Sequence, residues 1–406
     1  MNMGIPQSNS PLGSTPRPDP RLAPLLAGYP ADVFDARLHE SIGLAETYTL
    51  HLAVDVLQRL GAGPRLREPR RAAELAADLG VVAGFVPALS WLLGRLAAAG
   101  ILLAAPAAAG RGRYQSAGPW PDPQTAALRR RMAAIDDRNL AALDLLDAAA
   151  AAYPAIATGS MTGEQALLSP EAIPLWLAYF SNRNPLYAVH NRVSAGDAAR
   201  LLAVRPGDGG LCLLELGAGA GSSTEALLQE LDGRGLLGRV ERLLATEPGA
   251  LFRRRAQRAL VGRYPGLALE FAALDIDRPW SGQGVAPASC ALVFAVNVLH
   301  VAKDLRFSLG QALASLAPGG WLIAGECLRP PSGQVHMELV FQVLGSFTDV
   351  ATDAALRPRP GFLAAEEWHQ ALAAAGFHDV QILPDVAAIQ RLLPAFCVGS
   401  VCGRRP

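Results

Sequence analysis

LCLLELGAGAGSSTE, residues 211–225, reads as a buried strand that runs into a glycine-rich turn and then into the start of a helix. Six mostly apolar residues lead to Gly217, Gly219 and Gly221, and TEALLQEL follows with helical spacing. Glycines are needed where the backbone closes over a ligand through φ values that a Cβ forbids. The spacing is G-x-G-x-G, with Ser222 where a dinucleotide fingerprint has its third glycine, and Glu215 stands two residues before the first glycine. A pyrophosphate on the helix N-terminus disfavours a carboxylate so close, whereas a ligand bearing ammonium and sulfonium groups tolerates or uses one.

That preference selects S-adenosylmethionine over a nicotinamide dinucleotide, and the following strand ends support it. The apolar run VERLLAT ends at Glu247, 28 residues past Gly219, where doubly wound folds set an acid on the ribose hydroxyls. A third run ends in AALDIDRPW, offering Asp275 to an adenine amino group while Ile276 packs on the ring. The fourth ends in VFAVNVLHVAKDL, which sets Asn297 and His300 beyond its carboxyl end, and the fifth in LIAGECL, which sets Glu326 at the neighbouring edge. A histidine beside a strand-end carboxylate suits a base and its orienter: the carboxylate fixes the imidazole tautomer and steadies the charge gained with the proton.

Strand-like runs at 211–216, 240–246, 267–272, 290–295 and 320–326 alternate with helix-like runs near 222–231, 249–262 and 304–317. Such alternation predicts parallel pairing with helices on both faces. PGG at 318–320 reads as a turn before the fifth strand, HMELVFQVLGSF as an inserted helix, and AEEWHQALAAAG as an amphipathic helix. HDVQILPD and PAFCVGSVCG supply two final strands able to form an antiparallel edge. The expected fold class is α/β, a Rossmann-like doubly wound seven-stranded sheet over residues 206–406, preceded by a mostly helical, winged-helix-like or lid region.

Residues 1–24, rich in Pro, Ser and Gly, are expected to be a flexible tail. Over 25–120 a helix, a turn at Gly80, a second helix through Trp91 and Leu96, and a hairpin closed by GRGRYQSAG make a winged-helix pattern. Its second helix offers Arg95 as its only cation, while DNA binding needs several phosphate contacts, so dimerisation or a lid role is expected instead. Residues 121–205 read as a helical lid or linker, with breaks near Pro154 and Pro185. PLWLAYFSNRNPLYAVHNRV mixes aromatics with Asn and His just before the glycine turn, which makes Tyr179, Tyr187 and Asn191 candidate substrate contacts.

Lys plus Arg equals Asp plus Glu at 36 each, so no global field recruits nucleic acid or an acidic membrane. The basic runs at 65–71 and 129–131 are solvated faces or a contact for an acidic carrier protein. Five cysteines without C-x-x-C spacing suggest reduced core residues of a cytoplasmic protein, and no metal set is expected. There is no basic segment followed by an apolar run and no stretch of 18 uninterrupted apolar residues, so neither export nor membrane spanning is expected.

GLCLLELGAGAGSST, LLATEPGALF, LDIDRPWSGQGVAPASCALVFAVNVLH and LASLAPGGWLIAGE together resemble the C-methyltransferase domains of polyketide synthases, and class I S-adenosylmethionine methyltransferases more broadly. The likeness is clearest over 177–380, and its most specific piece runs from Asp275 through NVLH. It implies a catalytic dyad of His300 and Glu326, with Glu247 as the ribose acid and Asp275 at the adenine edge. The family's insertion after the fifth strand is usually rich in Trp, and VFQVLGSFTDV has none. The activity implied is methylation of the α-carbon of a β-ketoacyl thioester on a carrier protein, by a free-standing enzyme, with Asn297 or a lid tyrosine stabilising the enolate. An O- or N-methyltransferase on a small natural product, and a ligand-sensing DNA-binding regulator, are the rival readings.

Overall fold

The computed structural model describes residues 20–105, 112–205 and 209–406. Of the expected tail, residues 1–19 lie outside the described residues; of the rest, Leu22 is fully buried in the core that also holds Leu26 and Phe34, so it is packed rather than free. Asp35 then caps helix α1 (Ala36–Arg59), its carboxylate accepting from Leu38 N at 2.8 Å. Leu38, Ile42, Ala45, Leu52 and Val56 recur at three- to seven-residue steps and all are buried, which makes α1 a core helix.

A short helix, Ala72–Leu79, stops at Gly80 in the left-handed region, and α2 (Val86–Ala98) follows. Strands Arg70–Arg71, Leu102–Ala105 and Arg113–Ser116 close a small antiparallel sheet beside them. Leu89, Leu92, Leu93 and Leu96 of α2 are buried, and so is Arg95, the cation that a DNA-reading helix would have to expose. Helices α3 (Thr125–Asp136) and α4 (Leu140–Ala157) come next. The sequence predicts a break at Pro154, yet α4 runs through it. The carbonyl that Pro154 cannot serve, that of Ala150, accepts from Arg59 Nη2 at 2.6 Å, which offsets the missing N–H. By length and composition 125–157 could cross a membrane, but a 3-10 turn at Asp137–Asn139 divides it and Leu143, Leu146 and Tyr153 are buried in the core. Helix α5 (Pro185–Ala203) begins where the sequence predicts, with Pro at a position whose N–H would be unpaired anyway.

The large sheet contains β1 (Leu211–Leu216), β2 (Val240–Thr246), β3 (Leu269–Ala272), β4 (Cys290–Val296), β5 (Leu316–Cys327), β6 (His378–Leu383) and β7 (Val398–Arg404). Their order is β3-β2-β1-β4-β5-β7-β6, the first five parallel. The last two strands are antiparallel as expected, but only β6 is an edge, because β7 lies between β5 and β6 and pairs with both. PGG does not precede β5 as a turn: Cys290 pairs with Leu316 and Leu292 with Trp321, so these residues form an irregularity inside the strand. Leu213, Leu243 and Leu292 stand in register across the centre, each at most 2% exposed, and each buried leucine contributes about 1.5–3 kcal/mol.

Helices α6 (Ser222–Gly233), α7 (Ala250–Leu260), α8 (Leu305–Ser315) and α9 (Ala365–Ala374) connect the strands. The single helix expected after β5 is two short ones, Glu338–Phe341 and Gly345–Thr348. Strand order reverses between β1 and β4, which opens a crevice above their carboxyl ends. Helix α5 packs closely on the face of the sheet: a Cβ on Gly325 of β5 would lie 1.9 Å from Ser194 Oγ, so only glycine admits the helix there.

Candidate active site

Two cavities meet above the β1 and β4 ends. One, of about 460 Å³, is lined by Gly217, Ala218 and Gly219, by Glu247, by Asp275 and Ile276, and by Asn297. Gly217 has φ +60° and a Cβ there would lie 2.5 Å from Val298, while Gly219 has φ +54° and faces open space. Glu247 accepts from Gly219 N at 3.1 Å and from Gly249 N at 2.7 Å, tying the glycine turn to the β2 end. Burial raises its carboxyl above the usual range, and those two N–H groups pull it back in part. The Asp275 side chain accepts from Asp277 N at 3.0 Å and pairs with Arg278 at 3.2 Å. Asp277 and Lys303 also reach this lining, a pair that the sequence reading passed over.

Two of the expected ligand contacts belong to the scaffold instead. Glu215 is 1% exposed and off the cavity lining, with Ser223 and Thr224 hydroxyls donating to its two oxygens at 2.5 Å each. A strand residue before the glycine turn points alternately inward, and the hydroxyls at the start of α6 capture it. Gly221 caps α6 with φ +93°, and a Cβ there would meet Leu260 at 2.9 Å, so it serves helix packing rather than the lining. Burial pushes the Glu215 carboxyl up to about 7 against the pull of both hydroxyls. A carboxyl whose pKa rises on folding takes up a proton in the folded state between its unfolded value and 7. Stability therefore falls as pH rises through that window, by an amount on the order of 3 kcal/mol, and levels off above it. The melting temperature is expected to decline from pH 5 to pH 7.5 more steeply in the wild type than in Glu215→Gln; parallel curves would refute this.

The second cavity, of about 260 Å³, shares Phe180, Tyr187, Phe252, Asn297, Val301 and Ser346 with the first. Its walls are rich in aromatic rings: Trp176, Tyr179, Phe180 and Tyr187 form a ring-to-ring chain that Trp176 joins to Phe341, Phe347 and Phe362. Phe341 and Phe347 stand in VFQVLGSFTDV, the Trp-free stretch that left the wall undefined in the sequence. Asn191 does not reach either cavity; it is fully buried in α5 and donates to Asn182 at 2.8 Å.

His300 is on this second lining, 3% exposed, its Nδ1 2.7 Å from Glu326 Oε2. The other Glu326 oxygen accepts from Leu299 N at 2.9 Å, so a fully buried carboxylate holds both the ring and the turn that carries it. Arg357, also buried, donates to the His300 carbonyl and to the Ala302 carbonyl, the latter at 2.6 Å. Asn297 takes φ +54°, donates its N–H to Gly325 O at 2.7 Å and accepts from Cys327 N at 3.0 Å, locking the β4 end to β5. Asn297 and His300 thus reach the cavity from one strand end and Glu326 from the next.

Two further histidines share this lining, and the sequence reading singled out neither. His190 stands three residues after Tyr187 on α5, a helical spacing that could have flagged it. Burial, then His336 and His300 nearby, push its pKa down to about 3, so it is neutral. His336 sits in an irregular segment that offers no periodic signal. That segment is fastened to the N-terminal helices by two charge clusters: Arg95 and His336 on Glu46, and Trp91 and Arg329 on Glu338. In the basic run 129–131, Arg129 pairs with Asp144 and Asp147, and Arg131 with Glu40. Among the described residues no His/Cys/Asp/Glu cluster suits a metal ion, and all five cysteines are free.

No protein-family profile matches the sequence. The fold is similar to that of the CurJ carbon methyltransferase, with a TM-score of 0.77 and 25% identity over 95% of this chain and 97% of that one. The chain is an S-adenosylmethionine-dependent methyltransferase. The glycine turn, with its open Gly219 face and the strand-end acids Glu247 and Asp275, fits that donor. The methyltransferase also shares its fold with the DszA carbon methyltransferase (TM-score 0.72, 23% identity, 97% and 99% of the two chains) and with the trans-methyltransferase CalH in complex with SAH (0.62, 17%, 91% and 92%). In sequence it is similar to the polyketide synthase ThaQ of Burkholderia thailandensis, 30% identical over 58% of this chain, and to the highly reducing polyketide synthase resH of Aspergillus sclerotiorum, 33% identical over 44%. The methyltransferase spans 11% of the first of these relatives and 7% of the second.

Proposed function

We propose that the chain methylates the α-carbon of a β-ketoacyl thioester presented by an acyl carrier protein, in polyketide-type biosynthesis, with His300 as base and Glu326 as its orienter. What carries this reading is the 2.7 Å contact of His300 Nδ1 with Glu326, set in a mostly apolar cavity that shares a wall with the glycine-turn cavity. Bound S-adenosylmethionine supplies an electrophilic methyl group. Gly217 and Gly219 would cradle its amino-acid end, Glu247 its ribose hydroxyls, and Asp275 with Ile276 its adenine.

The chain's own task is to hold the acceptor carbon in line and to take its proton. An ionised Glu326 only accepts, so it keeps a proton on Nδ1 and leaves Nε2 as the lone pair. A carbon between two carbonyls is acidic enough for a neutral imidazole to deprotonate. Asn297 has its oxygen engaged by Cys327 N, which leaves its amide N–H as a donor for the enolate. Tyr179 and Tyr187 complete the acceptor wall, and residues 25–205 act as its roof and support.

Incubation with labelled S-adenosylmethionine and a panel of β-ketoacyl carrier proteins, phenols and amines, read by intact mass and product NMR, tests the proposal. A new carbon-bound methyl is expected. A methoxy or N-methyl product, or donor binding with no transfer to any acceptor, overturns it. Glu247→Ala is expected to raise the Kd for S-adenosylhomocysteine about 30-fold by calorimetry, the loss of about 2 kcal/mol of charge-assisted hydrogen bonds. Unchanged affinity would remove Glu247 from the ribose.

A further inference from the structure

The acceptor cavity holds a second imidazole with a carboxylate of its own. His336, 5% exposed, follows β5 and lines the same cavity as His300. Its Nδ1 is 3.2 Å from Glu46 Oε1, and its backbone N–H donates to that oxygen at 2.6 Å. Glu46 comes from α1, and its other oxygen accepts from Arg95 of α2 at 2.7 Å. Arg95 also reaches the Glu46 carbonyl at 2.6 Å and the Gln334 side chain at 3.0 Å. Burial pushes the Glu46 carboxyl up, but Arg95 and His336 more than offset it and hold it at about 2.

Arg95 and Glu46 already cancel each other's charge, so a pair built only to fasten the segment has no need of an imidazole. His336 nevertheless turns one nitrogen to the carboxylate, and that is the one hydrogen bond its ring makes to protein among the described residues. The residue lines a cavity otherwise walled mainly by rings and aliphatic groups.

We propose that His336 is a second acceptor-binding group, its Nε2–H hydrogen-bonded to the oxygen that becomes negative when His300 removes the α-proton, with Glu46 and Arg95 as positioning residues. The inference rests on the β-ketoacyl reading above. The α-proton passes to Nε2 of His300, the C–H electron pair enters the enolate double bond, the carbonyl oxygen takes the charge, and no proton leaves His336. Unlike His300, the role asks His336 to donate from Nε2 while Nδ1–H stays on Glu46; the doubly protonated ring with Arg95 and Glu46 would then bear one net positive charge, which the enolate matches. His190, held neutral chiefly by its burial, adds no charge of its own.

Wild type, His336→Ala, His336→Gln and Glu46→Gln are to be compared on a β-ketoacyl pantetheine thioester. Three quantities are read: methyl-transfer kinetics, deuterium uptake at the α-carbon with S-adenosylhomocysteine in place of the donor, and the ultraviolet enolate band of the bound thioester. His336→Ala is expected to lower kcat and exchange about 100-fold with KM changed less than about 5-fold, to lose the enolate band, and to regain part of both with added imidazole. His336→Gln, which keeps a donor, and Glu46→Gln are expected to lose about 10-fold. Where the alanine variant does not fold, the two glutamine variants decide, and wild-type exchange in both overturns the inference. Exchange that survives His336→Ala overturns this inference alone. A wild type that neither exchanges the α-proton nor methylates carbon overturns the proposed function itself.

Discussion

Glu326→Gln is expected to leave the fold intact and yet to lower kcat by about 10³- to 10⁴-fold. The amide oxygen can still accept from Leu299 N, as Oε1 does now at 2.9 Å. Its NH₂ then faces His300 Nδ1, which must accept, and the ring proton moves to Nε2. The nitrogen facing the acceptor becomes a donor where a base is required. Calorimetry should give wild-type affinity for S-adenosylhomocysteine, and the melting temperature should stay close to wild type. A kcat within about 10-fold of wild type would show that Glu326 does not set the tautomer.

His300→Ala removes the base outright and is expected to lower kcat by about 10²- to 10⁴-fold, with donor affinity unchanged because His300 is on the acceptor lining only. Stability should also fall by about 1–3 kcal/mol, since Glu326 loses one partner in a fully buried place. Labelled methyl transfer under saturating donor, with a denaturant melt beside it, reads both effects. Near-wild-type turnover would dismiss the dyad.

The parallel half of the sheet was legible because buried parallel strands are unbroken apolar runs, and the helices between them keep their own period. The expected runs 211–216 and 240–246 coincide with β1 and β2, and His300 and Glu326 meet as adjacent strand ends should. What failed to show was anything set by a partner distant in the chain. Pro154 stays helical through Arg59, about ninety residues earlier, and Glu215 is claimed by two hydroxyls of the next helix. Asn191 satisfies Asn182 rather than a ligand, which no local pattern announces. His336 owes its place to Glu46, 290 residues away; Phe341 and Phe347 sit on helices of a single turn, too short to show a period, and Phe362 on irregular chain.

The clasp of Trp91 and Arg329 on Glu338, beside that of Arg95 on Glu46, bears on how this enzyme can be borrowed. An engineer who trims the gene to its donor-binding half takes the Trp91 donor from Glu338 and the Glu46 carboxylate from His336, and lets one side of the reaction chamber drift. Chimeras that exchange acceptor preference between relatives therefore have their seam outside this pair of clasps, and the early helices travel with the late insertion as a single transplant.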